Sequence, residues 1–211
     1  AALGRVLAAD AVAVRANPPA PNTAVDGYGF AHAATGTGVQ RLALTKGRAA
    51  AGQPFQGVVP RGQAIRILTG AILPPGVDTV VLEEDCALGG GAVAFDGPVK
   101  AGMNTRRAGE DVVGGAVTLR AGHRLRAPDL ALLAAVGVQT AAVYRPLRVA
   151  VLSTGDEIVT DKAESHQIFD ANRPMLMALA RGWGCEVIDL GHAPDRPATI
   201  RARLNRGSAR A

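Results

Sequence analysis

Residues 148–157 read RVAVLSTGDE, a short apolar run that ends in a hydroxyl pair, a glycine and two carboxylates. A run of this length and composition predicts a buried parallel strand. Residues 173–182 then have the pattern of a helix that Asn172 can cap, and residues 185–190 that of a second strand. The order strand, helix, strand predicts a βαβ unit, and in such sheets ligands bind at the carboxyl ends of the strands.

Residues 153–157 therefore fall where an α/β protein holds its ligand. The hydroxyls of Ser153 and Thr154 and the flexible Gly155 favour a phosphate, and the acids Asp156 and Glu157 favour a divalent cation. The alternative is a turn that ends the strand and leaves both acids solvated. This segment by itself leaves both interpretations open.

The composition excludes several classes of protein. Hydrophobic residues make up 48% of the chain but aromatic residues only 3%, and 26 glycines with 13 prolines predict a loop-rich, partly β protein. No apolar run reaches the roughly 18 residues that cross a bilayer, and the start of the chain has no signal-peptide pattern. Cys86 and Cys185 lie far apart without metal-type spacing, which favours reduced thiols and a cytoplasmic location without membrane attachment.

The net charge of +5 comes largely from arginines near the end of the chain. These arginines are Arg196, Arg201, Arg203, Arg206 and Arg210. A nucleic-acid patch is one interpretation, but no aromatic residue interleaves them, so a solvated helix face is favoured and no nucleic-acid partner is expected.

The distribution of apolar runs predicts an α/β and β multidomain fold. Residues 1–14 and 116–146 would form a small two-part α/β domain, and residues 15–115 an inserted β-rich domain. Residues 147–211 would form part of a doubly wound α/β domain. The other predicted elements are a short helix leading into a strand within 3–14, strands at 41–45, 64–68, 78–82, 91–95, 117–119 and 138–144, and helices over 128–136 and from 197.

Three further motifs place a carboxylate near a glycine, a hydroxyl or an arginine. Asp26-Gly27 predicts a turn that aims a carboxylate, Thr69 ends the strand of 65–71, and residues 106–111 (RRAGED) combine two arginines with two acids. The alternatives are an ordinary Asx turn, a plain strand exit and a surface salt-bridge turn. Together the motifs favour an anionic, phosphate-bearing ligand handled with a divalent cation, and no Ser, Cys or His forms a nucleophile–base set.

Six motifs also occur in one order along the chain. They are NTAVDGYGF (22–30), RILTGAILPPGVDTVV (66–81), NTRRAGEDV (104–112), AGHRLRAPDLALLAAVG (121–137), VAVLSTGDEIV (149–159) and QIFDAN (167–172). This series resembles the molybdopterin molybdotransferases, and the resemblance extends from Leu3 to about Leu204. Relatives of that family include the E domain of gephyrin.

The resemblance implies an elongated homodimer. Each subunit would contain the two-part domain, the inserted domain, an α/β domain related to the pterin adenylyltransferases and a C-terminal β barrel. The active site would lie between one subunit's α/β domain and the partner's inserted domain. The implied reaction inserts molybdate into adenylyl-molybdopterin with release of AMP, depends on Mg²⁺ and belongs to molybdenum cofactor biosynthesis. Molybdate and tungstate have the same charge and nearly the same size, so both remain candidate substrates.

The family's functional positions transfer to this chain residue by residue. The implied catalytic residues are Asp26, Thr69, Asp111 and Glu157; the implied substrate-binding residues are Ser153, Thr154, Gly155, Arg107 and Asp195; and the implied metal ligands are Glu157 and Asp156. The second half of the family's α/β domain and its barrel have no counterpart in the 211 residues, so we expect the chain alone to be inactive. The alternative function is that of a non-catalytic scaffold or binding module with the same fold.

Overall fold

The computed structural model describes residues 2–210 and shows a mixed α/β protein. Its strands are β1 (Ala11–Val12), β2 (Asn22–Thr23), β3 (Gly27–Phe30), β4 (Gly38–Ala49), β5 (Gln63–Ile67), β6 (Thr79–Leu82), β7 (Ala87–Gly89), β8 (Ala92–Gly97), β9 (Thr105–Arg106), β10 (Val117–Leu119), β11 (Arg148–Thr154), β12 (Ile158–Val159), β13 (Ile168–Phe169) and β14 (Glu186–Ala193). The α-helices are α1 (Ala127–Ala135), α2 (Asn172–Gly182) and α3 (Pro197–Arg210), and single 3-10 turns span His32–Ala34 and Glu83–Asp85.

The chain forms two compact units. The β unit comprises Asp10–Leu119 and Ala131–Thr140, and the α/β unit comprises the remaining residues that the structure describes. The division into a two-part domain, an inserted domain and a partial α/β domain stays a prediction.

A six-stranded sheet dominates the β unit. Its strand order is β6-β3-β5-β4-β8-β7, and all neighbours are antiparallel except β4 and β5. The strand β3 lies inside the sheet and is buried along its whole length. The rings of Phe30 and Phe95 stack with centroids 5.0 Å apart, and Tyr28 and four aliphatic residues complete this core cluster.

Two short antiparallel pairs complete the β unit. The strand β1 pairs with β10, and β2 pairs with β9, which places Asn22 opposite Arg106. The amide of Gly70 donates to the carbonyl of Thr23 at 2.9 Å, so the segment after β5 also lies beside β2.

The α/β unit contains the predicted βαβ arrangement. The strands β11 and β14 are parallel neighbours, and α2, which connects them, packs against both, as does α3. Asn172 does not cap α2; the Asp170 carboxylate accepts a hydrogen bond from the Arg173 amide at 3.1 Å instead. Among the residues described, no helix is both long and apolar enough to cross a bilayer.

Two predicted elements are wrong. The helix predicted within residues 3–14 is absent, although the strand predicted to follow it is present as β1. The backbone groups before β1 pair with distant segments instead: the Leu7 amide donates to the His123 carbonyl at 3.0 Å. Residues 138–144 form no regular strand and contribute one bridge, between Val143 and Leu7. In both cases tertiary pairing, which local patterns do not encode, decided the outcome.

Candidate functional site

The carboxyl ends of β11 and β14 lie side by side in the α/β unit. Ser153 is opposite His192, and Thr154 is opposite Ala193. The turn of residues 155–157 follows β11, and beyond β14 the Asp195 amide donates to Asp156 Oδ1 at 3.0 Å. The structure therefore brings six predicted residues to one edge of the sheet, and we call them the sheet-end cluster. Its members are Ser153, Thr154, Gly155, Asp156, Glu157 and Asp195.

Gly155 sets the geometry of this cluster. It is buried and has a φ of +143°, and a Cβ at this position would lie 2.6 Å from Glu157 Oε2. The Glu157 carboxylate thus folds back over the turn, a Cβ at Gly155 would displace it, and the positive φ itself favours glycine. The Gly155 amide donates to the Ala193 carbonyl at 3.3 Å, which ties the turn to β14.

The donor set of the cluster fits one mode of cation binding. Within residues 2–210, no group of three or more His, Cys, Asp or Glu side chains could hold a metal ion. Mg²⁺ characteristically uses one or two protein carboxylates and completes its shell with water and substrate phosphates. The exposed, adjacent carboxylates of Asp156 and Glu157 match that mode and do not match an all-protein metal cage.

An ion-pair network that the sequence did not predict lies beside the sheet-end cluster. Its members are Asp170, Arg173 and Asp189. Arg173 Nε lies 2.8 Å from Asp170 Oδ2, and Arg173 Nη1 contacts both carboxylate oxygens of Asp189, at 2.8 and 2.7 Å. Burial raises the pKa of Asp170, but hydrogen bonds from Arg173 and Ser153 outweigh it and hold that pKa below its usual range. The network connects β14 and α2 to the end of β11.

A groove of about 290 Å³ opens at the same place. Its wall includes Ser153, Thr154, Asp170 and Asn172 together with the apolar Ile158 and Phe169. Asp170 and Asn172 belong to the QIFDAN motif, so the sequence motif already pointed to these two residues of the groove wall. Arg173 and Asp189 had no such signal, because a charged residue on a helix or strand surface is usually solvated.

Asp26 and Thr69 form the second candidate site, in the β unit. Asp26 directly precedes β3 and Thr69 lies just after β5, and these strands are antiparallel neighbours. Asp26 Oδ1 accepts hydrogen bonds from the Thr69 amide at 2.7 Å and from Thr69 Oγ1 at 2.5 Å. The hydroxyl of Thr69, followed by its amide, holds the pKa of Asp26 below its usual range, so this exposed carboxylate stays ionised.

Replacing Thr69 with valine should raise the pKa of Asp26 towards its usual value, because the larger of the two stabilising hydrogen bonds is lost. Replacing it with serine keeps the hydroxyl and should leave the pKa low. The measurement is a titration of the Asp26 carboxyl carbon by NMR. Since the pKa is depressed in the folded state, the stabilising effect of this bond is present at neutral pH and lost as the pH falls through the folded-state pKa. Equal titration curves for both variants would contradict the assignment.

The two arginines of the loop of residues 106–111 differ in their contacts. Arg106 pairs with Glu110 at 3.0 Å and with Asp111, whose other oxygen accepts from Asn17 Nδ2 at 3.3 Å. The Arg107 side chain is exposed and makes no ion pair within the described part of the chain. Arg106 thus forms the surface salt bridges that were the alternative interpretation of this loop. The guanidinium of Arg107 is available to bind an anion.

The loop of residues 106–111 and the Asp26–Thr69 pair are held near each other by β2. Asn22 pairs with Arg106, and Thr23 bonds through its backbone to Gly70. The carboxylates of Asp26 and Asp111 and the free Arg107 therefore belong to neighbouring loops of the β unit.

Comparison with known proteins identifies relatives across the chain. Residues 1–137 match the family described as "MoeA N-terminal region (domain I and II)", and residues 150–211 match "Probable molybdopterin binding domain". The molybdopterin molybdenumtransferase of Haemophilus influenzae is 40% identical over 201 residues, which are 93% of this chain and 49% of that protein. The protein of the same name from Synechococcus elongatus is 37% identical over 92% of this chain and 50% of its own length.

Solved structures agree with these matches. A molybdopterin biosynthesis moeA protein from Pyrococcus horikoshii OT3 is 32% identical, with a TM-score of 0.92 over 100% of this chain and 57% of that chain. A second structure of the P. horikoshii protein gives a TM-score of 0.88 at 31% identity, over 99% of this chain and 55% of that one. The chain thus spans about half the length of the curated relatives it matches. On the match over residues 1–137, supported along the chain by these relatives, the protein belongs to the MoeA family of molybdenum cofactor biosynthesis.

Proposed function

We propose that this chain provides part of the active site of a molybdopterin molybdotransferase, which inserts molybdate into adenylyl-molybdopterin and releases AMP. The observation that supports this most is the sheet-end cluster, where two hydroxyls, a buried glycine turn and two exposed carboxylates meet at the ends of parallel strands. This is the position at which α/β proteins bind phosphate-bearing ligands. The names of the relatives agree with the proposal.

The sheet-end cluster would bind the pyrophosphate linkage of adenylyl-molybdopterin. Thr154 would donate a hydrogen bond to a phosphate oxygen, and Ser153 would do so by exchanging its bond to Asp170. Gly155 would let the backbone approach the phosphate closely. Asp156 and Glu157 would hold Mg²⁺, which supplies Lewis-acid stabilisation of phosphate charge when bound. Asp195, whose amide holds the Asp156 carboxylate, would keep that carboxylate oriented. Water would add across the pyrophosphate bond as AMP leaves.

The β-unit residues would act on molybdate. Arg107 has a free guanidinium with donors suited to oxyanions, and Thr69 lies two residues after the end of β5. The Thr69 hydroxyl donates its one hydrogen to Asp26, so it would contact molybdate by exchanging that bond for one to a molybdate oxygen. We assign Arg107 and Thr69 to molybdate binding. Asp26 and Asp111 would supply the negative charges around that site. The two dithiolene thiols would form bonds to molybdenum, and one oxo ligand would leave as water with the two thiol protons.

We further propose that the protein is cytoplasmic and acts as a homodimer, as the resemblance implies. Because the chain spans about half the length of its relatives, we expect it to bind substrate without turnover when it is alone. Molybdate- and Mg²⁺-dependent AMP release by the chain alone would show that the 211 residues form a complete catalyst. A chain that binds no adenylyl-molybdopterin with Mg²⁺ present would favour the scaffold alternative.

Replacing Glu157 with glutamine should weaken Mg²⁺-dependent binding of adenylyl-molybdopterin at least tenfold, because the substitution removes a charged cation ligand at nearly constant volume. The measurement is a calorimetric titration with and without Mg²⁺. Glu164→Gln is the matched control, since Glu164 is an exposed acid of the same unit whose nearest ion-pair partner is His166 at 3.7 Å. Equal Mg²⁺ dependence in the two variants would contradict the assignment of Glu157.

A further inference from the structure

A bulge in β14 lies directly beside the sheet-end cluster. Val151 is opposite Asp189, but Ser153 is opposite His192, so β14 contains one residue more than β11 over this stretch. Gly191 lies within it, with a φ of +71°. An extra residue changes the side of the strand to which the following side chains point, and bulges often re-aim a side chain beside a functional site.

The bulge is braced by the ion-pair network. Asp189 Oδ1 accepts a hydrogen bond from the Gly191 amide at 2.7 Å, and the same carboxylate is held by Arg173. The amide that the bulge frees from the strand ladder is thereby satisfied within the unit. The backbone at residues 189–192 is therefore supported by side-chain contacts of its own.

His192 follows the bulge and reaches across to the neighbouring turn. Its Nε2 lies 2.6 Å from the Gly155 carbonyl oxygen. A carbonyl oxygen only accepts, so Nε2 carries the hydrogen and donates it. The next residue of β14, Ala193, accepts from the Gly155 amide, so both backbone groups of Gly155 bond to consecutive residues of β14.

We propose that His192 is a positioning residue that holds the Gly155 turn and thereby presents the carboxylates of Asp156 and Glu157. This inference rests on the proposed role of those carboxylates in cation binding. Gly155 has the unusual φ of +143°, and the Glu157 carboxylate folds back over it. Without His192 the Gly155 carbonyl would keep only the long hydrogen bond from the Ile158 amide at 3.4 Å, and rotation of that carbonyl would move the carboxylate. His192 itself contacts the turn backbone and acts only through it.

Amide hydrogen exchange tests the mechanical part of the inference. In His192→Ala we expect exchange at the amides of Gly155 and Ile158, which donate to the carbonyls of Ala193 and Gly155, to rise about tenfold, which is the effect of losing one hydrogen bond of about 1.4 kcal/mol. In His192→Gln the side-chain amide can still donate, and exchange should return towards the wild-type rate. His166→Ala is the control, because His166 is an exposed histidine of the same unit. Unchanged exchange in His192→Ala, or equal exchange in the Ala and Gln variants, would overturn the inference.

A Mn²⁺ titration followed by water proton relaxation tests the functional part. We expect His192→Ala to bind Mn²⁺ about tenfold more weakly than wild type, with partial recovery in His192→Gln and no change in His166→Ala. If Glu157→Gln abolishes Mn²⁺ binding while His192→Ala binds Mn²⁺ as tightly as wild type, the inference is overturned and the proposed function still stands. Binding that Glu157→Gln leaves unchanged would contradict the cation role itself, and the inference would fall with it.

Discussion

Replacing Gly27 with alanine is expected to destabilise the β unit by about 3 kcal/mol, through backbone overpacking inside the sheet. Gly27 begins β3, which lies between β5 and β6. A Cβ on this residue would lie 1.9 Å from the Val81 carbonyl oxygen and 2.9 Å from the Val81 carbonyl carbon. Both contacts are with backbone of the adjacent strand, so no side-chain rotation can relieve them. Chemical denaturation followed by circular dichroism measures the loss.

Gly89→Ala provides the matched control for this prediction. Gly89 is an exposed strand glycine of the same sheet, and a Cβ on it would meet no atom within 4 Å. We expect its unfolding midpoint to stay close to that of the wild type. A Gly27→Ala protein as stable as Gly89→Ala would show that β3 and β6 can separate at little cost, contrary to the packing described above.

Replacing Arg173 with methionine should destabilise the α/β unit by about 2 kcal/mol, because two carboxylates lose their shared cation. The Asp170 side chain is only 4% exposed, whereas that of Asp189 is 41% exposed, so solvent screening reduces the effect below that of a fully buried pair. Methionine keeps most of the aliphatic volume. Arg181→Met is the control, since Arg181 is an exposed arginine of α2 without an ion pair among the described residues. Urea denaturation at neutral pH measures the difference.

The pH dependence gives this second prediction a further test. Burial raises the pKa of Asp189 as it does that of Asp170, and hydrogen bonds outweigh it in both cases. Arg173 acts together with Ser153 at Asp170 and together with the Gly191 amide at Asp189, so both pKa values are lowered. Their contribution to the free energy of unfolding is thus present above the unfolded-state pKa and is lost as the pH falls through the folded-state values. The stability difference between wild type and Arg173→Met should shrink in acid. A difference independent of pH would contradict the ion-pair explanation.

The elements with clear periodicity were predicted well. The predicted helix over 128–136 and the helix from 197 correspond to α1 and α3, and the predicted strand–helix–strand series corresponds to β11, α2 and β14. Local apolar spacing and the Pro and Gly signals were enough in these cases, because the helices form through hydrogen bonds within themselves and the strands are marked by short buried apolar runs.

Gly27 shows why other local signals misled. Asp-Gly is a typical turn sequence, yet Gly27 is the first residue of β3, without a left-handed backbone. The glycine is needed for the close approach of the Val81 carbonyl, a partner 54 residues further along the chain. No local pattern distinguishes a glycine of this kind from a turn glycine.

The sequence by itself determined the family, the βαβ unit and the place of the acids after a parallel strand, because a strand end lies at the same sheet edge whatever surrounds it. Tertiary structure alone decided which charges are free and which are paired: Arg106 is paired within its loop while Arg107 is available, and Asp170 and Asp189 share Arg173. It also decided the bulge that brings His192 to Gly155. These partners are distant in the chain, and only packing determines which side chains meet.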